Sequence, residues 1–480
     1  MPDPQPRKKR INIRTVPLIV ATALLMENLD SSVLSTSLPP IALDLGASPI
    51  HLKLALTSYL LALAIFIPAS GWMADHFGAR KVFRWAIVVF TAGSIACGLS
   101  SSLAELVASR VLQGIGGSMM VPVARLIVLR STPKSGFVSA MAWLTVPALI
   151  GPVLGPPLGG FITTYFHWRW ILWINVPIAL LGIVLTSLFI PRVAPDAPRG
   201  FDLRGFMLAG PGLAAFLTGL TLAGLGIASP ALIVAMTLGG AALVALYIRH
   251  ALIVKEPLVD LRLLALPTFR VSAAAGTLFR IGSGAMPFLL PLLYQVGFGL
   301  TAFQSGTMTF VSGIGAILMK FIAQPILHRF GFRRVLAVNA VISALFMLAP
   351  ATFSAETPWL WMLALLFAGG VCRSLQFTAI NAISYSEIDS HRMSSATSFN
   401  AVLQQLTGSI GITLAAFGIE AMAAYTGGAD IEAGYFAPVF VMVAVFAAAS
   451  GLGFARLAKD SGAELLGRGK DGQLAERTAI

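Results

Sequence analysis

Charge is what this sequence is short of. Of its 480 residues only 11% are Asp, Glu, Lys or Arg, while 57% are hydrophobic. A soluble domain usually carries about 25% charged residues, so a water-exposed globule is excluded. Cysteine is nearly absent as well. The two present, Cys97 and Cys372, fall inside apolar runs and read as small core residues rather than a disulfide. No GxxxxGKS/T loop is available to cradle phosphates, so ATP does not drive the chain directly. No His/Cys cluster suggests a metal site, and nothing points to an enzyme. Strict apolar/polar alternation is missing, and the apolar runs exceed the roughly 10 residues of a barrel strand, which excludes a membrane barrel. Basic runs interleaved with stacking aromatics are missing too, so the net charge of +13 does not mark a nucleic-acid partner.

Long apolar runs are what remains. A spanning helix needs roughly 20 mostly apolar residues, and in lipid such runs must be helical to satisfy their own backbone. Fourteen spans are predicted, near 16–38, 53–74, 83–101, 104–128, 137–163, 169–190, 204–226, 230–249, 271–296, 306–327, 335–353, 359–383, 394–420 and 436–457. The basic start MPDPQPRKKR precedes a run of full spanning length that holds Glu27 and Asp30, so it reads as a tail before a first membrane helix, not a cleaved signal.

Loop charge tests this count. With the N-terminus in the cytoplasm, 26 of the 33 Lys and Arg residues fall in cytoplasmic segments. The opposite side holds only Lys53 and Arg169, and Arg110, Arg125, Arg280, Lys320 and Arg373 lie within spans. One missed helix would scramble this parity downstream. Both termini are therefore expected in the cytoplasm.

An internal repeat is visible. His76-Phe-Gly-Ala-Arg-Lys-Val82 after span two matches Arg329-Phe-Gly-Phe-Arg-Arg-Val335 after span ten. Arg110-Val-Leu-Gln113 in span four echoes Arg373-Ser-Leu-Gln376 in span twelve. Both echoes are offset by eight helices. The fold class expected is an all-α polytopic membrane protein of two parallel six-helix halves plus two inserted helices. The divisions are a tail (1–15), a first half (16–190), a linker with helices 7 and 8 (191–270), a second half (271–458) and a tail (459–480). Parallel halves of this kind are a transporter architecture with the site near the midplane.

The motifs resemble those of the major facilitator superfamily. GWMADHFGARKVF, residues 71–83, resembles the signature loop between its second and third helices, carried here by Gly71, Asp75, Gly78, Arg80 and Lys81. Arg110-Val-Leu-Gln-Gly114 with Gly116 and Gly117 resembles the fourth-helix motif. Gly151, Pro152, Gly155, Pro156, Gly159 and Gly160 fit the fifth-helix antiporter motif. Leu29-Asp30-Ser-Ser-Val33 with Leu38-Pro39, and Trp168-Arg-Trp-Ile171 with Asn175-Val-Pro177, resemble motifs of the fourteen-helix drug:proton antiporter branch. The resemblance implies an antiporter that exports small amphipathic compounds through the cytoplasmic (inner) membrane. It implies a proton gradient in place of any cofactor, and a monomer whose partners are substrate, protons and the bilayer. It also implies that Asp75 helps latch one state and that Arg110 takes part in proton coupling.

The residues carry their own physical reading. Glu27 and Asp30 are three apart, so they share one helix face. Two carboxylates so placed in a membrane resist being charged together, which suits proton carriage; neutralised acids bridging helices are the plainer alternative. Arg110 can pair with or release such a carboxylate, or it can serve backbone carbonyls. Gln113, one turn along, shares its face. Gly71 and Gly78 suggest a close helix approach and a tight turn, and Gly151–Gly160 a hinge or a tight interface between the halves. In the second half Arg280, Lys320 and Arg373 lie mid-membrane and, with Gln113 and Gln376, are candidate substrate contacts. Surplus positive charge there favours an organic anion such as a carboxylate or metal chelate, unless the cations snorkel.

The second copy of the loop carries Gln324 and His328 where the first has Gly71 and Asp75. An acidic latch confined to the first half predicts that Asp75→Asn slows a transport assay far more than His328→Ala. Equal effects would reduce the loop to a topology signal.

Overall fold

Apolar runs separated by short polar breaks fold here as long helices. The computed structural model describes residues 15–132, 137–190, 200–223, 227–389, 392–427, 431–463 and 465, with only the backbone at 129, 137–142, 145–149 and 394. Lys134, Arg192, Arg199 and the terminal stretches with their cations lie outside that description. The described residues contain no strand.

The first six long helices are α1 (Thr15–Thr36), α2 (Lys53–Phe77), α3 (Ala79–Leu99), α4 (Leu103–Ser131), α5 (Phe137–Tyr165) and α6 (Asn175–Phe189). Two more, α7 (Leu203–Leu222) and α8 (Pro230–Ile253), precede the last six. These are α9 (Pro267–Leu292), α10 (Ala302–Phe330), α11 (Phe332–Leu348), α12 (Trp359–Ser384), α13 (Met393–Thr426) and α14 (Phe436–Phe454). Thirteen of these helical segments are long and apolar enough to cross a membrane, counting α6 with its preceding turn Trp170–Trp173. The 29-residue α5 matches their length, so the chain is consistent with fourteen spans.

Local chemistry sets the ends. Ser102, Asp202, Ser229 and Thr301 cap α4, α7, α8 and α10 by accepting from backbone N–H groups of the first turn. At α10, Gln304 returns the bond and completes a capping box. The repeated loop is shorter than the sequence suggested. α2 passes to α3 through Gly78 alone, and α10 to α11 through Gly331 alone. Both glycines have positive φ, 87° and 74°, where a Cβ would be strained.

Packing repeats with the sequence. In the first half α1 packs on α5, α2 on α4, and α3 on α4 and α6. In the second half α9 packs on α13, α10 on α12, and α11 on α12 and α14. The same positions in each half make the same contacts. Between the halves α2 meets α13 and α5 meets α10, again equivalent positions exchanged. The inserted helices α7 and α8 pack on one another, and α7 lies against α2. Only 11% of the spanning window of α8 is buried, so it faces outward.

The halves meet tightly at the end away from the α2–α3 loop. Gly160 lies on the Ala302 carbonyl and Gly306 on the Pro156 carbonyl, too close for any side chain. Gln295 Nε2 donates to Thr36 O at 2.8 Å, and Phe303 N donates to Thr164 Oγ1 at 3.0 Å. Phe303 also packs against the rings of Phe161 and Tyr165. On that side the bundle is closed.

Candidate functional site

Asp30 sits mid-helix on α1 and is 2% exposed, while Arg110 on α4 is 0% exposed. An unpaired charge at that depth would cost several kcal/mol, roughly, and the chain surrounds it accordingly. Arg110 Nη1 donates to Asp30 Oδ2 at 2.6 Å. Gln113 Nε2 donates to Asp30 Oδ1 at 2.9 Å, and Asn175 Nδ2 donates to the same oxygen at 2.8 Å. Asn175 also donates to Ser94 Oγ at 3.0 Å, and Ser94 donates to Leu172 O at 2.8 Å. Arg110 is held further by its Nε donating to Ala55 O at 3.3 Å and by the Tyr59 ring, 4.3 Å from its Cζ. One carboxylate thus joins α1 to α4 and α6 directly, and to α2 and α3 through its partners.

Glu27 is one turn away and takes no part in this cluster. It is 9% exposed, and its buried Oε2 has no hydrogen-bond partner. The two acids share a helix face, as their spacing predicts, but their surroundings differ. Asp30 is saturated with donors, and Glu27 keeps a free oxygen. Asn175 lies in the stretch that carried the sixth-helix resemblance. Ser94 had no signal in the sequence, because a lone serine in an apolar run is ordinary.

In the second half the cations are less well served. Arg280 on α9 is 2% exposed. Its Nη2 donates to Asn381 Oδ1 at a long 3.4 Å, and its Nε and Nη1 have no partner. Arg373 Nη2 donates to Ser312 Oγ at 3.0 Å, and Lys320 Nζ donates to Thr378 Oγ1 at 2.9 Å. Among the described residues no carboxylate pairs with any of the three. Gln376 is placed elsewhere: it accepts from Asn339 Nδ2 at 2.8 Å and donates to Leu336 O at 3.0 Å, buried between α11 and α12. Gln113 and Gln376 are both enclosed within a half, so neither is presented to a substrate in this conformation.

At the α2–α3 loop, Arg130 Nη2 donates to Asp75 Oδ1 at 2.7 Å, tying α2 to α4 within one half. Arg80 donates to the Ser187 carbonyl on α6, and Lys81 is exposed. Gly78 makes the tight turn. Gly71 does not make a close approach: it is exposed, and no heavy atom stands within 4 Å of where its Cβ would be.

The glycines of α5 divide between two neighbours. Gly151, Gly155 and Gly159, four apart, lie on α1 at Asn28, Ser32 and Val33. Ser32 Oγ donates to Gly151 O at 3.1 Å. Gly160 and Pro156 instead face α10, and Pro152 is exposed. The motif therefore works on two faces: its glycines at 151, 155 and 159 seal α1 to α5 within one half, while Val153, Pro156 and Gly160 meet α10 across the interface between the halves.

The two cations that broke the charge rule are both neutralised. Lys53 at the start of α2, its side chain 0% exposed, lies 3.0 Å from Glu420 Oε1 on α13, across the seam between the halves. Arg169 Nη1 donates to Asp44 Oδ2 at 2.8 Å, and Trp168 Nε1 donates to it at 2.9 Å. The Trp168 indole, then the positive charge of Arg169, hold the Asp44 carboxyl below its ordinary range. These contacts therefore persist above the unfolded value of about 3.9 and are lost only as pH falls through the lower folded value.

Comparison with known proteins fits this architecture. The model of the Major Facilitator Superfamily matches residues 20–248 and 271–474. A protein of Serratia proteamaculans (strain 568) named "Putative multidrug resistance protein MdtD" is 39% identical over 451 residues, covering 92% of this chain and 93% of that one. Among solved structures, the POT family transporter PepTSo superposes with a TM-score of 0.69 at 16% identity, over 97% of this chain and 99% of that one. The D-xylose-proton symporter superposes with a TM-score of 0.66 at 14% identity, over 93% and 98%. At such identities the structural likeness speaks for the fold alone.

The Lys53–Glu420 pair must part if the halves are to separate on its side. Removing one partner of a buried pair costs about 3–5 kcal/mol. In a background lacking Cys97 and Cys372, Lys53→Met should expose Thr36→Cys to an impermeant maleimide at least tenfold faster. The exchange Lys53→Glu with Glu420→Lys should restore slow labelling. Labelling unchanged by Lys53→Met would mean that the pair does not hold the halves closed.

Proposed function

This chain belongs to the Major Facilitator Superfamily, and on that footing we propose that it is a proton-coupled antiporter exporting small amphipathic compounds across the cytoplasmic membrane by alternating access. It is a multi-pass membrane transporter; the direction, the coupling ion and the cargo are the proposal. The observation that carries it is the contrast between the two acids of α1. Asp30 is neutralised by Arg110 and locked to its neighbours, whereas Glu27 keeps a buried oxygen free of donors. A buried carboxylate without a partner is stable only when it holds a proton or meets a cation.

In the proposed cycle, the bundle closed at Gly160–Ala302 and Lys53–Glu420 admits substrate from the α2–α3 side. Loop charge assigns that side to the cytoplasm. Once the halves rock open the other way, a proton from outside reaches Glu27 and favours release of the cargo. Arg110 keeps Asp30 from competing for that proton and holds α1, α2, α4 and α6 together as one body. The name of the 39%-identical relative, "Putative multidrug resistance protein MdtD", supports a drug as the cargo.

A second reading rests on Arg280. Its buried guanidinium has two nitrogens without acceptors, and Arg373 and Lys320 add charge that no acid among the described residues pairs with. An organic anion such as a carboxylate or metal chelate would supply what this half lacks.

Uptake into inverted vesicles under an imposed pH gradient tests both readings. Glu27→Gln should insert normally yet lose the response to the gradient, falling at least tenfold in coupled uptake. Wild-type uptake indifferent to the gradient, or Glu27→Gln with undiminished coupling, would reject the proton role. Arg280→Ala should abolish uptake of organic acids while sparing a neutral or cationic drug. Organic-acid transport that survives the change would reject the anion reading.

A further inference from the structure

The inserted helices α7 and α8 do more than lengthen the chain. A cavity of about 170 Å³ lies between them and the α2–α13 seam, walled by residues such as Pro68, Gly210, Leu213, Tyr247, Val259 and Phe399. Every lining side chain is apolar except Tyr247, and its hydroxyl is occupied: it accepts from Val259 N at 2.9 Å and donates to Val259 O at 3.4 Å. The wall therefore offers nothing to a charged or polar group and suits an alkyl chain.

One end of the cavity is built and tied down. The segment carrying Leu258, Val259 and Leu261 is strapped to α7, whose capping residue Asp202 accepts from Leu258 N at 3.2 Å and pairs with His250 at 2.8 Å. Arg392 holds Asp260 at 2.9 Å, and Arg262 Nη2 donates to Val254 O at 2.8 Å. Around this end Arg204, Arg249 and Lys255 are exposed and have no partner among the described residues. Asp202 and Asp260 are already spent on His250 and Arg392, which leaves exposed Glu256 as the one acid among the described residues of that linker to oppose them. The rim is positive, the interior is apolar, and the outer wall, α8, faces lipid.

We infer that this cavity is a site for an anionic phospholipid, with one acyl chain between α7, α8 and the α2–α13 seam and its phosphate on Arg204, Arg249 and Lys255. Basic pockets between membrane helices bind anionic headgroups on this principle. The bound chain fastens the inserted pair to a seam along which the halves must move. The inference does not depend on what the protein carries.

The test uses the full chain, purified in detergent and stripped of lipid, then given phosphatidylglycerol or phosphatidylcholine with identical chains. Native mass spectrometry and thermal unfolding are the readouts. Wild-type protein should retain one phosphatidylglycerol and unfold at higher temperature with it, and should gain less from phosphatidylcholine. Leu213→Trp, which fills the cavity, should lose the bound lipid and the shift. Arg204→Ala, Arg249→Ala and Lys255→Ala leave the core untouched and should each erode the preference for phosphatidylglycerol about fivefold. Equal retention of both lipids by the wild type, or a Leu213→Trp protein that binds as the wild type does, would overturn the proposal. So would displacement of the lipid by a transported amphiphile, which would make the cavity a substrate site.

Discussion

A charge that must live inside a bilayer dictates its neighbours. Asp30 and Arg110 could not both be buried unless neighbouring helices turned polar groups towards them, and α2, α4 and α6 do so, with Ser94 of α3 bonded to Asn175 behind them. Gln113, Asn175, Ser94 and the Ala55 carbonyl are fixed by that demand. The first half is therefore more than an apolar bundle. Dispersion between lipid-facing helices is hardly directional, whereas a saturated carboxylate admits one arrangement. α5 stands outside this polar cage and is attached to α1 by its glycines instead. It is also the helix that meets α10 across the seam. The α5–α10 contact is made by shape, whereas α1, α2, α3, α4 and α6 are joined within their half by charge and hydrogen bonds.

The second half repeats the geometry without the chemistry. Arg373 and Gln376 occupy the places of Arg110 and Gln113, and α10 meets α12 as α2 meets α4. No acid on α9 plays the part of Asp30, so Arg373 bonds Ser312 and Gln376 turns to Asn339. The equivalent helices have diverged into a charge-balanced half and a half with surplus cations. The repeated loops are asymmetric in the same sense, since Asp75 has no acidic counterpart and His328 stands in its place.

Much of the fold was legible because hydropathy and loop charge act over whole helices. All fourteen predicted spans fall on long helical segments, thirteen of them long and apolar enough to cross a membrane among the described residues, and the loop repeat pointed to equivalent turns at Gly78 and Gly331. The site was legible in part. Glu27, Asp30 and Arg110 announce themselves because an ionisable residue in an apolar run is rare. What sequence could not reveal was partnership across distance. Lys53 read as an exception to the charge rule until Glu420, on a helix far along the chain, closed on it. Gln376 read as a substrate contact because its side chain is polar, yet its partners lie on α11. Gly71 read as a close contact because a glycine in a motif invites that reading, yet it is exposed and no neighbouring helix among the described residues comes within 4 Å of where its Cβ would be.

The one-residue links at Gly78 and Gly331 carry a mechanical consequence. A longer loop would let α2 tilt while α3 stayed still, and the displacement would be absorbed in slack backbone. A single residue between two helices leaves almost no play. When α2 swings at the seam with α13, α3 must swing with it, and likewise α11 with α10. Each hairpin behaves as a bent lever with a stiff elbow, so a movement begun at the midplane arrives undiminished at the far rim of its half.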